Sequence, residues 1–462
     1  MDEKAHDTYR KTTRDVSRYQ LTRRRLMQTT IASAAALATT YKPDEVRADV
    51  SGTVNVYAAS GLRWDGSMRA AYPMFREKFP NITVNFTAEP IGDTYQKISV
   101  MMNSKVEAFN IIYTDFGQWP QMHSLGALTP LQPFADQDPE WFDDYLADVP
   151  EAVTKLYRFP AEPSGELYGL CPDGNAMLAA YRKDAFDKAG IAFPLTWEDW
   201  IEAAKELNDP AREVYAYCGA MARGFWFGFE FWGAHASFGG EWFDKMEAGH
   251  WNPTFNTEAG YQALSVFNEL NKYAHPVTSN AGEDETNTAF ANGSALFGPL
   301  TWGTANLNNP DFSNFPDEFH WDVPPRGSNP AGSHRPLMGG LGQFVPPWSP
   351  DHPAAWEWIK WINSGDKTDP RIGEAMVNAG SQPSRISLLS KYGADRNFFK
   401  GLSKAFPTAI PFVMLIPEAN SLVQMIGEEG ADYVNGQKDI EDALKAMDKR
   451  ARRIMEDSGY YG

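Results

Sequence analysis

A few short segments carry the residues best suited to chemistry. Trp64 lies in a glycine-bounded loop, Ser60-Gly61-Leu62-Arg63-Trp64-Asp65-Gly66. Asp115 ends the apolar run Ile111-Ile112-Tyr113-Thr114, and Asp173 and Asn175 flank Gly174. Trp302 follows the strand-like Ala295-Leu296-Phe297-Gly298, and further on stand Gly339-Gly340 and Arg385. Carboxylates, amides and guanidinium groups accept from or donate to hydroxyls in one plane, and indole rings cover flat C–H faces. Paired glycines let backbone N–H groups come close to a bound molecule. Each residue also has a plainer reading. Asp115 can cap a helix, Asp173-Gly174-Asn175 can be an ordinary turn, Trp64 and Trp302 can be core, and Arg385 can pair with a surface acid. The Phe225–Trp232 stretch, with Trp226 and Trp232, reads as a mostly buried helix.

The elements that must position these residues are legible nearby. Val54, Val56 and Ala58 alternate within 53–59, and Ile82, Val84 and Phe86 alternate within 81–87. Between them Met68, Ala71, Phe75 and Phe79 share one face of a helix. Strand, helix and strand at this spacing predict a parallel pair with a right-handed crossover, and place the 60–66 loop at a carboxyl edge of the sheet. Thr196 predicts a helix cap ahead of Trp200, Ala203, Ala204 and Leu207. Ala355, Trp358, Ile359 and Ile362 form another stripe. The last helix turns Ile440, Ala443, Leu444, Met447, Ala451 and Ile454 inward and leaves Lys449 to Arg453 as a solvated basic run. Residues 322–349 are rich in Pro and Gly but contain the strand-like Phe344-Val345, which predicts a hinge passage rather than a tether.

Composition narrows the classes. With 462 residues the chain can build more than one core. Its formal charge of -18 rises to about -22 outside the first 48 residues, which argues against nucleic acid or anionic membrane as partners. The two cysteines, Cys171 and Cys218, have no metal spacing and read as unpaired thiols or a single disulfide. Gly-x-Ser-x-Gly, P-loop, His-Glu-x-x-His and EF-hand patterns are absent, and no cofactor or metal is expected. Residues 1–48 read as an export signal: Thr22-Arg23-Arg24-Arg25-Leu26-Met27-Gln28, a weakly apolar run from Thr29 to Ala38, then Val46-Arg47-Ala48 as a cleavage site. The paired arginines resemble the twin-arginine export signal, which implies a free periplasmic protein.

Several segments, in order, resemble the solute-binding proteins of carbohydrate ABC importers, the maltose-binding-type family. They are Phe109 to Asp115 with Gly126-Ala127-Leu128-Thr129-Pro130-Leu131; Gly165-Glu166-Leu167-Tyr168-Gly169-Leu170; Ala180-Tyr181-Arg182-Lys183-Asp184 with Lys188-Ala189-Gly190; and Pro194-Leu195-Thr196-Trp197-Glu198-Asp199. Phe238-Gly239-Gly240, Phe290 to Ala295, Trp302, Gly339-Gly340, Ala354-Ala355-Trp356 and Gln382-Pro383-Ser384-Arg385 follow. The match departs at Cys171-Pro172, where the family has Pro directly, and the Arg63-Trp64 loop fits no ligand subtype. The resemblance implies an α/β fold of two lobes with three hinge crossovers, lobe one at 49–173 and 335–382 and lobe two at 174–334 and 383–462. It implies a monomeric periplasmic protein that closes on a sugar or sugar-like ligand and delivers it to a membrane permease. Trp64, Asp115, Asp173, Asn175, Trp302, Gly339, Gly340 and Arg385 would bind that ligand. A non-sugar solute (polyamine, opine or polyol) is one rival. A secreted glycoside hydrolase is another, needing only two carboxylates in one cleft.

Overall fold

The computed structural model describes residues 50–461 except 116, 246–249, 303–304 and 395. The expected export signal lies outside the described residues. The chain opens as its alternation predicts. β1 (Gly52–Ala59) and β2 (Ile82–Glu89) pair in parallel from Gly52↔Ile82 to Ala59↔Glu89, joined by the helix Ser67–Lys78. That helix buries Met68, Ala71, Met74 and Phe75. β3 (Ile111–Asp115) adds to the other side of β1, again in parallel.

The next strand of this sheet, β4, runs fourteen residues, Gly169–Arg182, and is buried at all but one position. The other strands of the main sheet are β5 (Tyr215–Tyr217), β6 (Ala295–Trp302), β7 (Phe319–Asp322), β8 (Leu337–Phe344) and β9 (Ile410–Pro411), while the short strands Arg158–Phe159 and Glu166–Leu167 pair separately. They form one mixed sheet in the order β2-β1-β3-β8-β4-β6-β5, with β9 beside β8 and β7 beside β4. β4 serves both halves. Its residues 169–176 run antiparallel to β8, and its residues 177–182 run antiparallel to β6 and β7. A strand buried on both faces reads as a continuous apolar run, which is why no alternation marks it. The change of partner at Ala176–Met177 is one passage between lobes. The Gly/Pro-rich 322–349 segment is another and contains β8, the strand expected around Phe344. Beyond it, the helix Ile386–Gly393 stays with lobe one, where Lys391 pairs with Asp366. The helix Asn397–Ala405 lies on Trp321 and Leu178 of lobe two.

Local chemistry sets the helix positions. Thr196 caps the helix Trp197–Leu207 in a reciprocal box with Asp199, satisfying two otherwise orphaned N–H groups. The aromatic helix Phe225–Ser237 is buried from Phe227 to its end, so it has no polar face. It crosses the helix Ala419–Val434 at glycines: a Cβ on Gly427 would fall 1.8 Å from the Gly224 carbonyl oxygen. In the last helix, Ile440–Asp457, Arg450 departs from the solvated reading. It reaches back to Glu428 and Glu429 at 2.7 and 2.6 Å. Cys171 and Cys218 are buried free thiols, so the single disulfide left open by the sequence is not formed.

Candidate functional site

The carboxyl ends of β1, β3 and β6 converge on the β4–β8 crossing: Arg63 after β1 reaches Asp173 of β4, Asp115 of β3 and Trp302 of β6 both neighbour Phe412, and the space between them is the candidate cleft. Ligands of open α/β sheets bind at such strand ends. On the first lobe the chain leaving β1 makes one wide helical turn, Leu62–Gly66, held by Gly61 N–H donating to Asp65 at 3.0 Å. This turn carries Arg63 and the half-buried Trp64. Arg63 donates through Nε and Nη2 to Oδ1 of Asp173, at 2.8 and 2.7 Å. The other oxygen of Asp173 accepts from Ser381 Oγ at 3.0 Å and from Gln382 N at 2.8 Å. Asp173 is 0% exposed, and both its oxygens are committed to the protein. Burial alone would lower the pKa of Arg63, but the Asp173 carboxylate outweighs it and holds the guanidinium above its usual value.

Asp115, at the end of β3, has a freer carboxylate. Tyr95 Oη donates to one oxygen and Gly117 N–H to the other, the latter at 2.8 Å, leaving each oxygen lone-pair capacity. Burial pushes its pKa up to about 6 against the pull of those two donors.

The second lobe supplies rings. Trp302, the last residue of β6, meets Phe229 and Phe412 edge-on, with centroids 5.7 and 5.6 Å away and both interplanar angles 89°. Phe229 and Phe412 also meet each other at 5.1 Å. Phe412 is next to Asp115, since a Cβ on Gly117 would lie 2.9 Å from Asp115 Oδ1 and 3.1 Å from Phe412 Cζ. Trp226 packs at the start of the helix Glu283–Asn292, where a Cβ on Gly282 would fall 2.8 Å from its Nε1. The first residue of that helix, Glu283, lies within electrostatic reach of Arg63. Burial raises its pKa to about 7, and Arg63 opposes the rise.

Of the residues singled out from the sequence, the structure gathers Trp64, Asp115, Asp173, Trp302 and Gly339 around this cleft. Gly339 lies under Trp302, and a Cβ there would fall only 3.0 Å from Cζ3, so its bareness serves ring packing. Gly340 packs against Cys171 and Tyr157 inside the β4–β8 crossing. Asn175 pairs with Gly339 across that ladder and turns its Oδ1 to Ala176 N at 2.8 Å. Arg385 is elsewhere: it donates to Asn363 O at 2.6 Å and to Asp144 and Asp148 at 3.2 and 3.0 Å. It borders a separate hollow of only about 10 Å³ with Asn363, Met376 and Ser384. Arg63, Tyr95, Phe229, Glu283 and Phe412 were not anticipated. Arg63 had a signal in its place beside Trp64 in the glycine-bounded loop, and Phe229 in its place within the aromatic stretch Phe225–Trp232.

Residues 60–366 match the family model described as bacterial extracellular solute-binding protein. The chain belongs to that family. As a solute-binding protein it is the substrate-capturing component of an ABC importer, exported from the cytoplasm. It is 24% identical over 413 residues to a mannitol-binding protein of Pseudomonas aeruginosa, covering 85% of this chain and 91% of that one. Its fold is that of the ABC transporter solute-binding protein from Agrobacterium radiobacter K84 in complex with ribitol, at TM-score 0.75 and 19% identity over 87% of this chain and 99% of the other. The solute-binding protein from Agrobacterium vitis S4 with bound D-mannitol gives TM-score 0.70 and 23% identity over 88% and 99%. These likenesses establish the two-lobed binding-protein architecture, with its mixed α/β sheet shared between the lobes.

Proposed function

We propose that the cleft captures a small neutral polyol or monosaccharide by hinge closure, and that the loaded monomer docks on a membrane permease. The observation that carries this reading is the pairing of unlike walls. The Asp115 carboxylate, with acceptor capacity left, stands beside the edge-on Trp302, Phe229 and Phe412 rings. A hydroxylated carbon chain matches both, its O–H groups donating to the carboxylate and its C–H faces lying on the rings. The mannitol- and ribitol-binding relatives support the same class of ligand. Trp64, Asp115 and Trp302 remain the ligand contacts of this reading, whereas Asp173 acts through Arg63. Within it, lobe one comprises 50–176 with 335–393, and lobe two 177–334 with 394–461, the last passage following the company kept by the helices 386–393 and 397–405. The ligand leaves chemically unchanged, and residues 1–48 direct export by the twin-arginine route.

A thermal-shift screen of the mature chain tests the central claim, because a ligand bound only by the folded state raises the melting temperature. D-Mannitol, ribitol or D-tagatose should raise it, and putrescine should not. A shift with putrescine alone overturns the reading. Oligosaccharides incubated with the protein should be recovered intact. Replacing Arg24 and Arg25 by Lys should keep the precursor in the cytoplasm; unchanged export would exclude the twin-arginine route.

A further inference from the structure

We propose that Arg63 and Glu283, one from each lobe, form a clamp that selects an uncharged vicinal diol and rejects charged analogues. This rests on the polyol or monosaccharide reading above and assigns the residues that enforce it. A guanidinium has five N–H groups. Arg63 spends one from Nε and one from Nη2 on Asp173, and the others have no partner among the described residues. Its side chain is nevertheless only 21% exposed. None of its nitrogens without a partner is fully buried, so those N–H groups stay open to water and, in a loaded cleft, to a hydroxyl. Ser381 and Gln382 hold Asp173 from behind, and Asp173 in turn fixes the direction of the guanidinium. The Tyr113 hydroxyl, buried and unpartnered, belongs to the same electrostatic cluster.

On the second lobe Glu283 begins the helix Glu283–Asn292. It interacts electrostatically with Arg63, yet the two are not in ion-pair contact. Donors on one lobe and an acceptor on the other leave a gap that adjacent hydroxyls bridge, one accepting from Arg63 and one donating to Glu283. The arrangement also discriminates by charge. A phosphate ester would be drawn to Arg63 but would meet the Glu283 and Asp173 carboxylates. An ammonium would be drawn to Glu283 but would meet Arg63. Only a neutral ligand leaves the balance undisturbed, which makes the pair a specificity filter rather than a simple source of affinity.

Calorimetric titration of the mature chain with D-mannitol, ribitol and D-mannitol 1-phosphate tests this, comparing wild type with Glu283→Gln, Arg63→Met and Arg63→Lys. Hydrogen bonds to charged groups predict about tenfold weaker polyol binding in Glu283→Gln and Arg63→Met. Glu283→Gln should also narrow the preference for mannitol over its phosphate by about tenfold, a change that a purely structural role would not produce. Arg63→Lys keeps the charge and serves if Arg63→Met does not fold; it should still bind more weakly, because a lysine cannot contact Asp173 and a hydroxyl in one plane. Wild-type binding of a polyol with affinity and preference within twofold in all folded variants overturns the clamp alone. Wild-type binding of neither polyol overturns the clamp together with the function on which it rests.

Discussion

The two walls of the cleft are made of different chemistry and are held in place by different forces. The lobe-one wall is polar. Arg63, Asp173, Ser381 and Gln382 bond to one another, and Tyr95 and Gly117 orient Asp115. The lobe-two wall is aromatic, with Trp302, Phe229 and Phe412 fixed by mutual edge-on packing. Hydrogen-bonded groups retain their direction when one ligand contact is removed, whereas a packed ring that is truncated leaves a void its neighbours fill only partly. Substitutions in the aromatic wall should therefore lower stability and affinity together, and those of the hydrogen-bonded polar groups should alter affinity and selectivity with little effect on the fold.

Trp302→Ala gives the largest expected effect. The ring is 8% exposed and supports two other rings, so its loss should cost about 3–5 kcal/mol of stability as well as binding. Trp302→Phe should recover part of both. Urea denaturation of the unliganded protein reads the first quantity. A cost below about 1 kcal/mol would mean the aromatic wall does not depend on its own packing.

Glu230 tests the same wall from beneath. It lies on the aromatic helix, is 1% exposed, accepts from Ala220 N at 2.9 Å and has no cation partner among the described residues. Burial raises its pKa to about 8, so between roughly pH 4.5 and 8 the folded protein holds a proton that the unfolded chain releases. Stability should fall as pH rises through that window, by ~4 kcal/mol from this group. Glu230→Gln keeps an acceptor for Ala220 and should flatten the fall. Denaturation midpoints at pH 5 and pH 8 that differ equally in wild type and variant would exclude the effect.

How much of this contrast was legible beforehand depended on how far apart the interacting residues lie in the chain. The strand–helix–strand opening was readable because Val54, Val56, Met68, Ala71, Ile82 and Val84 follow local periods. Asp115 could be set at a strand end for the same reason. The aromatic wall was half legible: Phe225–Trp232 declared a buried helix, but which ring met Trp302 depended on Phe412, which β9 brings in from late in the chain. The polar wall was the least legible. Asp173 pairs with a residue 110 positions earlier and with others more than 200 positions later. Arg385 finds Asp144 and Asp148 at similar separations. No local pattern encodes such pairs, so the sequence left Asp173 between a ligand acceptor and a turn residue, and Arg385 between a ligand donor and the partner of a surface acid.

The two titrating groups of the cleft, Asp115 on lobe one and Glu283 on lobe two, should instead respond to pH through affinity. A carboxylate must be ionised to accept from ligand hydroxyls on both oxygens. Acidification first protonates Glu283, near pH 7, and then Asp115, near pH 6. Each proton taken up weakens binding by up to about tenfold per pH unit below its pKa, so binding should be about tenfold or more weaker at pH 5 than at pH 7.5. Glu283→Gln should abolish the upper limb and Asp115→Asn the lower. A flat profile between pH 5 and 7.5 would remove both carboxylates from the binding wall.

The smallest effect belongs to Gly339, where the two walls meet. Its backbone conformation admits any residue, so the only obstacle to a side chain is the Trp302 ring, 3.0 Å from a Cβ at Cζ3 and 3.2 Å at Cη2. Gly339→Ala should displace that ring by a few tenths of an ångström, costing about 1 kcal/mol of stability and a few-fold in affinity. Gly342 supplies the contrast in the same strand, because a Cβ there would fall 2.2 Å from Tyr157 Cε1 inside the lobe-one core. Gly342→Ala should therefore cost more stability and, in whatever fraction remains folded, leave affinity nearly unchanged. Equal losses of affinity in the two variants would show that ring placement in lobe two is not what Gly339 protects.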